Sequence, residues 1–402
     1  MLVVKKFGGS SVADRERIMN VARRCIEDYE KGNDVVVVLS AMGKTTDGLL
    51  EKAREITETP SKRELDMLLV TGEQVSVALM AMAFQSLGVQ AVSLNAAQVA
   101  MRTTSAYALP MLKRIDTERI RNELDARKIV VITGFQGINK YDDMTTLGRG
   151  GSDTTAVALA VALHADFCEI YTDVDGVYTA DPRIVPNAKK LSEVSYDEML
   201  EFASLGAKVL HNRSVEMAKR YGVKLVVLSS LTRAEGTIIK EKTSMEKMLV
   251  SGVAADKNTA RISVLGVKDE PGIAFRLFNL LARYRINVDI IIQSVGRDNR
   301  KDISFTVART DLQETMKIIN DHLEMLTADS VSADDTVAKI SIIGAGMTSN
   351  PGVAAKMFEA LSGANINIKM IATSEIRITV LIDEEDASRA MRVVHDAFSL
   401  AD

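Results

Sequence analysis

The chain has 402 residues, 47% hydrophobic and 26% charged, a composition typical of a globular protein of two or three domains. Its net charge of −4 and aromatic content of 4% argue against a nucleic-acid partner. Two cysteines and four scattered histidines argue against a disulfide framework or a zinc site. Uninterrupted apolar runs, such as 155–163, fall short of the ~20 residues of a membrane span, and no leader precedes Met1. We therefore expect a cytoplasmic protein without a membrane partner.

The first half alternates apolar, β-branched runs with segments of helical periodicity. The runs lie at 2–4, 35–39, 91–94, 129–133, 169–172 and 224–228, and the helical segments at 14–29, 63–85, 154–164 and 204–220. This alternation predicts an α/β domain, with a mainly parallel sheet sandwiched by helices and Cys25 in its core. Ligands of such sheets bind at the carboxyl ends of the strands, so the loops there are the candidates for chemistry.

The second half contains a repeat with a period of 80 residues. The segment 271–278, beginning Pro-Gly, aligns with 351–358, and Ile286 and Asn287 recur as Ile366 and Asn367. Each copy has the pattern of strand, Pro-Gly turn, helix and two strands, which predicts a small α+β module. We predict an α/β domain over 1–240, a linker and first module over 241–330, and a second module over 331–402.

Two glycine-rich loops have residues suited to anions. Lys6-Phe7-Gly8-Gly9-Ser10 leaves the first strand, where glycine N–H groups, a helix N-terminus and a lysine favour a nucleotide phosphate. The alternative is an ordinary strand–helix turn. In the loop 148–153, Arg149 lies among glycines and has the shape to bind a carboxylate or phosphate through two hydrogen bonds. Ser152 or Asp153 can instead cap a helix that begins at Thr154.

Two sets of carboxylates, Glu73 and the group Asp173, Asp175 and Asp181, each have two possible roles. Glu73 interrupts an amphipathic helix, where it is either solvated or a ligand for the ammonium group of an amino acid. Asp173, Asp175 and Asp181 follow a strand, and they either hold Mg²⁺ beside phosphates or form turns. The sequence Gly-Lys-Thr at 43–45 is not a P-loop, because Val38 occupies the place of the first glycine. No G-x-G-x-x-G follows an early strand, which argues against a dinucleotide oxidoreductase.

Taken in order, these motifs resemble the aspartokinases over essentially the whole chain. They are KFGGSS at 6–11, VLSAM at 38–42, TGE at 71–73, TGFQG at 133–137, TLGRGGSD at 146–153, YTDVDGVYTADPR at 171–183 and GAKVLH at 206–211. The 80-residue repeat is similar to the tandem ACT regulatory domains of that family. Acetylglutamate kinase and uridylate kinase share the fold but are not expected to carry this set of motifs. A non-enzymatic amino-acid sensor is the alternative of a different class, and the presence of Lys6, Arg149 and Asp173 argues against it.

The resemblance implies an amino-acid-kinase fold followed by two ACT (βαββαβ) modules. It implies transfer of a phosphoryl group from ATP, with Mg²⁺, to the side-chain carboxylate of L-aspartate, the first step towards lysine, threonine and methionine. The catalytic residues implied are Lys6, Arg149 and Asp173, with Asp173 also a candidate Mg²⁺ ligand. The implied ATP-binding residues are Lys6, Phe7, Gly8, Gly9, Ser10, Thr172, Asp173, Tyr178, Asp181, Arg183 and Lys208. The implied aspartate-binding residues are Ser40, Thr45, Glu73, Arg149, Gly150, Gly151, Ser152 and Asp153.

The resemblance also implies feedback inhibition by lysine, threonine or both, through the ACT modules. The effector residues it implies are Asp269, Gly272, Ala274, Asp289, Gln293, Asn365, Asn367 and Ile368. Within the repeat, Asp289 corresponds to Lys369 and Gln293 to Thr373, so two equal effector sites are not expected. Homo-oligomers assembled through the ACT modules are implied. An ACT-only subunit starting near Met245 or Met248, and pairing of 249–255 into the second module, are left open.

Overall fold

The computed structural model describes residues 1–205, 209–241, 249–294, 296, 299–347 and 350–401, which form two compact units. The first unit contains residues 1–177, 190–204 and 209–241. The second contains residues 178–189, 205 and the described residues from 249 onward. The predicted catalytic residues Lys6, Arg149 and Asp173 all lie in the first unit.

The first unit is built on parallel strands. Its strands are β1 (Leu2–Phe7), β2 (Asp34–Leu39), β3 (Ala91–Leu94), β4 (Arg102–Thr103), β5 (Leu112–Arg114), β6 (Ile129–Thr133), β7 (Gln136–Ile138), β8 (Met144–Thr146), β9 (Phe167–Thr172), β10 (Glu193–Ser195), β11 (Leu225–Ser229) and β12 (Thr237–Lys240). The main sheet has the order β10-β12-β11-β9-β1-β2-β6-β3, and its neighbours run parallel from β11 to β3. All six predicted strands lie in this parallel part, which confirms the predicted fold class. The short strands β4, β5, β7 and β8 form a second sheet.

Helices cover both faces of the main sheet. They are α1 (Arg15–Glu30), α2 (Thr45–Ile56), α3 (Lys62–Leu69), α4 (Thr71–Ser86), α5 (Glu118–Asp125), α6 (Gly151–Leu163), α7 (Tyr196–Ser204) and α8 (Asn212–Tyr221). Asp14 caps α1, because its side chain accepts a hydrogen bond from the Arg17 N–H. Helices α1 and α4 pack on one face around Val37, Cys25 and Phe84, while α6 packs on β1 and β9. Cys25 is fully buried, as predicted.

The helical stretch 62–86 differs from its predicted form. The sequence predicts one helix over 63–85, whereas the structure has two, α3 and α4. The buried face of α4 carries Val77, Met80 and Phe84, while Val75 and Met82 are 52% and 60% exposed. The chain changes helix at Val70, and this break shifts the face that α4 turns to the core. By length and composition the stretch could cross a membrane, contrary to the expectation from uninterrupted runs, but 56% of its most apolar window is buried. Core helices of globular proteins share these properties.

Two further helix boundaries correct the sequence prediction. Helix α6 begins at Gly151 and not at Thr154, because Gly150 adopts the left-handed conformation (φ 68°) and starts the helix early. Ser152 and Asp153 therefore lie within its first turn and do not cap it. The predicted helix 204–220 is interrupted, since α7 ends at Ser204 and α8 begins at Asn212. Residues 206–208 lie outside the described residues.

The second unit holds two four-stranded antiparallel sheets. Its elements are β13 (Gly252–Asp256), β14 (Ala260–Lys268), α9 (Ile273–Arg283), β15 (Ile291–Gln293), β16 (Arg300–Val307), α10 (Leu312–Asn320), α11 (Leu323–Leu326), β17 (Ser330–Asp334), β18 (Val337–Ile343), α12 (Val353–Gly363), β19 (Met370–Thr373), β20 (Arg377–Asp383) and α13 (Ala387–Ala397). One sheet has the order β15-β16-β14-β17 and gives the predicted βαββαβ module. The other has the order β13-β18-β20-β19.

The two modules are interleaved along the chain. Strand β17 pairs with β14 in the first module, although it crosses the predicted limit at 330. Strand β13 precedes the first module but pairs with β18 of the second. This is the pairing that the sequence left open for 249–255. The second module therefore takes its fourth strand from upstream and ends on α13.

The segment 178–189 also belongs to the second unit. Ala180 and Val185 lie in the hydrophobic core of the second module. The Val253 N–H donates to the Thr179 carbonyl at 2.7 Å, and the Thr179 hydroxyl lies 2.9 Å from Nε2 of the buried His395. The segment that follows β9 is thus part of the second module and not of the parallel-sheet unit.

Candidate active site and regulatory pocket

The turn after β1 packs against the turn after β2. The Gly43 N–H donates to the Gly9 carbonyl at 2.9 Å. A Cβ at Gly9 would lie 2.6 Å from the Ala41 carbonyl oxygen, so a side chain there would separate the two turns. Phe7, a predicted ATP-binding residue, has a fully buried side chain, so only its backbone is available to a ligand. The glycines therefore serve close contact between two loops at the carboxyl ends of neighbouring strands.

Lys6 faces α6, on the side of β1 opposite Lys5. Its Nζ lies 2.7 Å from Oδ1 of Asp153, and the two side chains are 13% and 11% exposed. Asp153 belongs to the first turn of α6, where N–H groups lack partners within the helix. The first turn of α6 therefore places backbone donors near a lysine, an arrangement suited to anions.

Glu73 is buried in the first turn of α4. A Cβ at Gly72 would lie 2.8 Å from the Ala41 Cβ, so glycine allows the helix to approach the turn after β2. The Ala41 N–H donates to Oε1 of Glu73 at 3.0 Å, while Oε2 is buried without a hydrogen-bond partner among the described residues. Burial raises the pKa of Glu73 to about 7. The solvated interpretation of Glu73 is therefore wrong.

The loop before α6 is shaped by close contacts. Gly150 has a positive φ, and a Cβ there would lie 2.2 Å from Cγ of His211, which ends the GAKVLH motif but was given no role from the sequence. The Ser40 hydroxyl donates to the Ser152 hydroxyl at 2.9 Å. Arg149 is exposed, and within the described part of the chain no carboxylate pairs with it. The structure thus joins Ser40 to Ser152 and leaves the Arg149 guanidinium available.

These contacts bring four loops of the first unit together. Lys6 meets Asp153, Ser40 meets Ser152, and Ala41 meets Glu73, at the carboxyl ends of β1 and β2. Thr45, the first residue of α2, lies nearby. Its Cγ2 would be 3.5 Å from a Cβ placed on Gly72. The cluster combines a lysine, helix N–H groups and a buried carboxylate, so it can bind an anion and an ammonium group side by side.

Thr172 and Asp173 follow at the end of β9, the neighbour of β1. The Thr172 hydroxyl donates to Oδ1 of the exposed Asp173 at 2.8 Å, and Asp175 pairs with Lys190 at 3.2 Å. Among the described residues, no group of three or more His, Cys, Asp and Glu side chains could hold a metal. A metal at this place would depend on ligands from a substrate, as Mg²⁺ bound to phosphates does.

Three of the remaining predicted nucleotide residues lie in the second unit. Tyr178, Asp181 and Arg183 belong to the second unit, with Asp181 and Arg183 paired at 2.7 Å. The hydrogen bonds from Arg183 hold the pKa of Asp181 below its usual range. Lys208 lies outside the described residues. The nucleotide-binding role of these four residues therefore stays a prediction.

The two modules of the second unit repeat one turn geometry. Gly272 and Gly352 precede α9 and α12 with φ values of 92° and 94°, which favour glycine. At the second turn is a pocket of about 370 Å³, lined among the described residues by Met347, Asn350, Gly352, Val353, Ala354, Thr373, Ser374, Glu375 and Ile378. Three of these residues were predictable from the 80-residue repeat. Gly352, Ala354 and Thr373 lie 80 residues after Gly272, Ala274 and Gln293, which are predicted effector residues of the first copy.

The predicted effector residues of the second copy do not line this pocket. Asn365 and Asn367 are exposed after the end of α12, and Ile368 packs against the module core. In the first copy, Asp269 pairs with Lys301 at 2.8 Å, and Asp289 pairs with Lys339 of β18. Asp289 therefore links the sheets of the two modules.

Comparison with known proteins gives matches along the chain. The model of the amino acid kinase family matches residues 1–229, and ACT domain models match 260–324 and 340–398. The aspartokinase of Bacillus sp. (strain MGA3) is 50% identical over 401 residues, covering 100% of this chain and 98% of the relative. The crystal structure of E. coli aspartokinase III in complex with aspartate and ADP is 28% identical, with a TM-score of 0.84 and 99% coverage of both chains. That of the same enzyme with lysine and aspartate is 29% identical, with a TM-score of 0.78 and the same coverage.

Proposed function

Because this chain belongs to the aspartokinase family, we propose that it transfers the γ-phosphoryl group of ATP to the side-chain carboxylate of L-aspartate. The observation that carries this proposal is the second carboxylate oxygen of Glu73, which is buried without a partner among the described residues. A buried carboxylate oxygen of this kind calls for a cation, and the ammonium group of an amino acid supplies one. The product is 4-phospho-L-aspartate.

The amino-acid site is assigned around this oxygen. Glu73 holds the ammonium group, and Thr45 and Ser40 line the same space. Arg149 binds a substrate carboxylate through two hydrogen bonds. The turn 150–153 shapes the site, with the N–H groups of Ser152 and Asp153 directed to an anion.

The nucleotide site adjoins it at the end of β1. Lys6 neutralises the transferring phosphoryl group, and Gly8, Gly9 and Ser10 line the phosphates. Asp153 holds the Lys6 ammonium group in position before the nucleotide binds, as their 2.7 Å contact supports. Thr172 and Asp173 complete this part. A nucleotide role for Tyr178, Asp181, Arg183 and Lys208 rests on the family resemblance alone.

The reaction needs no general base. A carboxylate with an ordinary pKa near 4 is already ionised at neutral pH, so it can attack phosphorus directly. The barrier lies in bringing two anions together, and positioning with charge neutralisation lowers it. Asp173, whose carboxylate is exposed at the end of β9, would hold Mg²⁺ bound to the phosphates of ATP. When bound, the ion neutralises phosphate charge.

Hydroxylamine trapping tests the activity. Acyl phosphates react with hydroxylamine to give hydroxamates, so ATP, Mg²⁺ and L-aspartate should together yield a hydroxamate. N-acetylglutamate and UMP serve as alternative acceptors. Product from either of these and none from aspartate would replace the proposal by another kinase of the same fold.

Regulation is assigned to the ACT modules. Lysine, threonine or both bind at the Pro-Gly turns, where the N–H groups at the start of α9 and α12 receive the effector carboxylate. Glu375 in the 370 Å³ pocket supplies a carboxylate for an ammonium group. Thermal unfolding with each amino acid alone and with the pair distinguishes single from concerted effectors, since a ligand bound by the native state raises Tm. We propose that the enzyme acts in the cytoplasm as a homo-oligomer assembled through its ACT modules.

A further inference from the structure

Lys5 is a fully buried cation outside the site described above. It lies in β1 next to Lys6, and its side chain points to the opposite face of the sheet, towards α1. Its Nζ lies 2.6 Å from Oδ2 of Asp28 and pairs with Glu169, its register partner on β9. Both carboxylates keep partial contact with water, at 24% and 20% exposure, whereas Lys5 has none. The proposed reaction leaves this cluster without a role.

The cluster extends to the strand ends through Tyr171. The Tyr171 hydroxyl donates to Oε2 of Glu169 at 2.8 Å, and its ring stacks on Phe7 with centroids 4.4 Å apart. The Arg24 guanidinium lies 4.9 Å from the centre of the Tyr171 ring and donates to the Ser229 carbonyl at 2.8 Å. Phe7 and Tyr171 are the residues before Gly8 and Thr172. The cluster therefore lies directly beneath the turns assigned to the nucleotide.

Lys31 also pairs with Asp28, at 3.0 Å, but its side chain is 69% exposed and water screens its charge. The charges of the remaining groups cancel. Lys5 and Arg24 carry two positive charges, and Asp28 and Glu169 carry two negative ones. Loss of the Lys5 charge leaves a net charge of −1 one residue from Lys6, whereas loss of the Glu169 charge leaves +1. Charges in the interior act over longer distances than in water, because the effective dielectric constant is lower.

We propose that Lys5 is a positioning residue for the nucleotide: it keeps the layer beneath the phosphate-binding turns neutral and ties β1 to β9 and α1. The inference rests on the proposed function, in which these turns hold the phosphates of ATP. It predicts an effect on the nucleotide that depends on the sign of the charge removed. If the substitutions acted only by loss of packing, nucleotide affinity would fall whichever charge was removed.

Three variants test the sign: Lys5→Met, Glu169→Gln and the double variant Lys5→Met/Glu169→Gln. We expect Lys5→Met to raise KM for MgATP about tenfold, with KM for aspartate changed less than about twofold. Glu169→Gln should lower KM for MgATP, because it leaves the cluster with a net charge of +1. The double variant, neutral again, should return to within about threefold of wild type. Equal increases in both single variants, or no increase in Lys5→Met, would overturn the proposal.

The assay remains informative if Lys5→Met fails to fold, because breaking a buried ion pair can cost about 3–5 kcal/mol. In that case Glu169→Gln is compared with the double variant, which should bind MgATP more weakly since it lacks one positive charge. Equal affinity in those two would overturn the proposal. Calorimetry with MgADP measures nucleotide affinity without turnover, and it should rank the variants in the same order. Failure of the wild type to phosphorylate aspartate would end the proposed function, while the order of nucleotide affinities still decides the role of Lys5.

Discussion

Glu73→Gln tests two effects of a buried carboxylate: the stability it costs the folded protein and the ammonium group it binds. Glu73 is 3% exposed, and burial raises its pKa from 4.5 to about 7. Keeping the carboxylate charged inside the protein therefore costs about 3 kcal/mol. Glutamine has nearly the same shape and keeps an oxygen for the Ala41 N–H, so the variant removes the charge and little else.

The sign of the pH dependence follows from the raised pKa. The folded state binds this proton more tightly, so the stability it contributes is complete below pH 4.5 and is lost as pH rises through about 7. Above pH 7 the ligand-free enzyme carries the cost of the buried charge, and Glu73→Gln does not. We expect the variant to be more stable than wild type at pH 8, by about 1–3 kcal/mol in urea unfolding, with a smaller difference at pH 5.

The same substitution should abolish binding of aspartate. The ammonium group pairs with a carboxylate and not with an amide, so aspartate should raise Tm in the wild type and not in the variant. In the wild type, KM for aspartate should rise as pH falls below about 7, by up to about tenfold per pH unit. A variant that binds aspartate nearly as well as wild type, or a KM that stays flat between pH 6 and 8, would refute the ammonium site.

Three further substitutions or reagents test other parts of the structure. Lys6→Ala should lower kcat by at least about 10²–10³-fold with an unchanged circular dichroism spectrum; near-normal turnover would remove Lys6 from catalysis. Gly150→Ala should lower both stability and aspartate affinity, because the new Cβ meets the His211 ring at a positive φ, and adding His211→Ala should restore part of the loss. Cys25 and Cys168 are fully buried, and burial raises the pKa of Cys25 to about 12, so neither thiol should react with a disulfide reagent before unfolding; rapid labelling of the native protein would contradict their burial.

The parallel sheet was predictable because its strands are uniform in composition. Runs such as 35–39 and 129–133 are buried on both faces, so they read as continuous β-branched segments, and each is a strand of the main sheet. The start of α6 was not predictable, since it depends on a left-handed Gly150 held beneath His211 from a distant segment. Only tertiary contact places those two residues together.

The charged groups show the same division. Lys6 and Arg149 were found because glycines surround them, whereas the burial of Glu73 depends on Gly72 contacting Ala41 across two loops. Lys5 carries no motif, and its role depends on its register partner Glu169, which lies 164 residues along the chain. Spacing along one segment cannot show pairing of this kind.

The second module makes a prediction about an ACT-only subunit. Residues Met245 and Met248 lie outside the described residues, but a chain that began there would retain β13, so both sheets could form in full. It would lack the segment 178–189, whose Ala180 and Val185 complete the core of the second module and whose Thr179 partners His395. Exposing the apolar surface under these two side chains should destabilise that module by about 2–3 kcal/mol.

Hydrogen exchange measures this loss locally. In a fragment covering 245–402, the amides of α13 should exchange about 30- to 150-fold faster than in the full chain, the equivalent of about 2–3 kcal/mol at 1.4 kcal/mol per tenfold. Amides of α9, in the first module, serve as the internal control because the segment 178–189 does not belong to that core. Val185→Ala in the full chain should accelerate the same α13 amides by a smaller factor. If the α13 amides are equally protected in the fragment and in the full chain, the segment 178–189 does not stabilise the second module. The prediction would then be wrong.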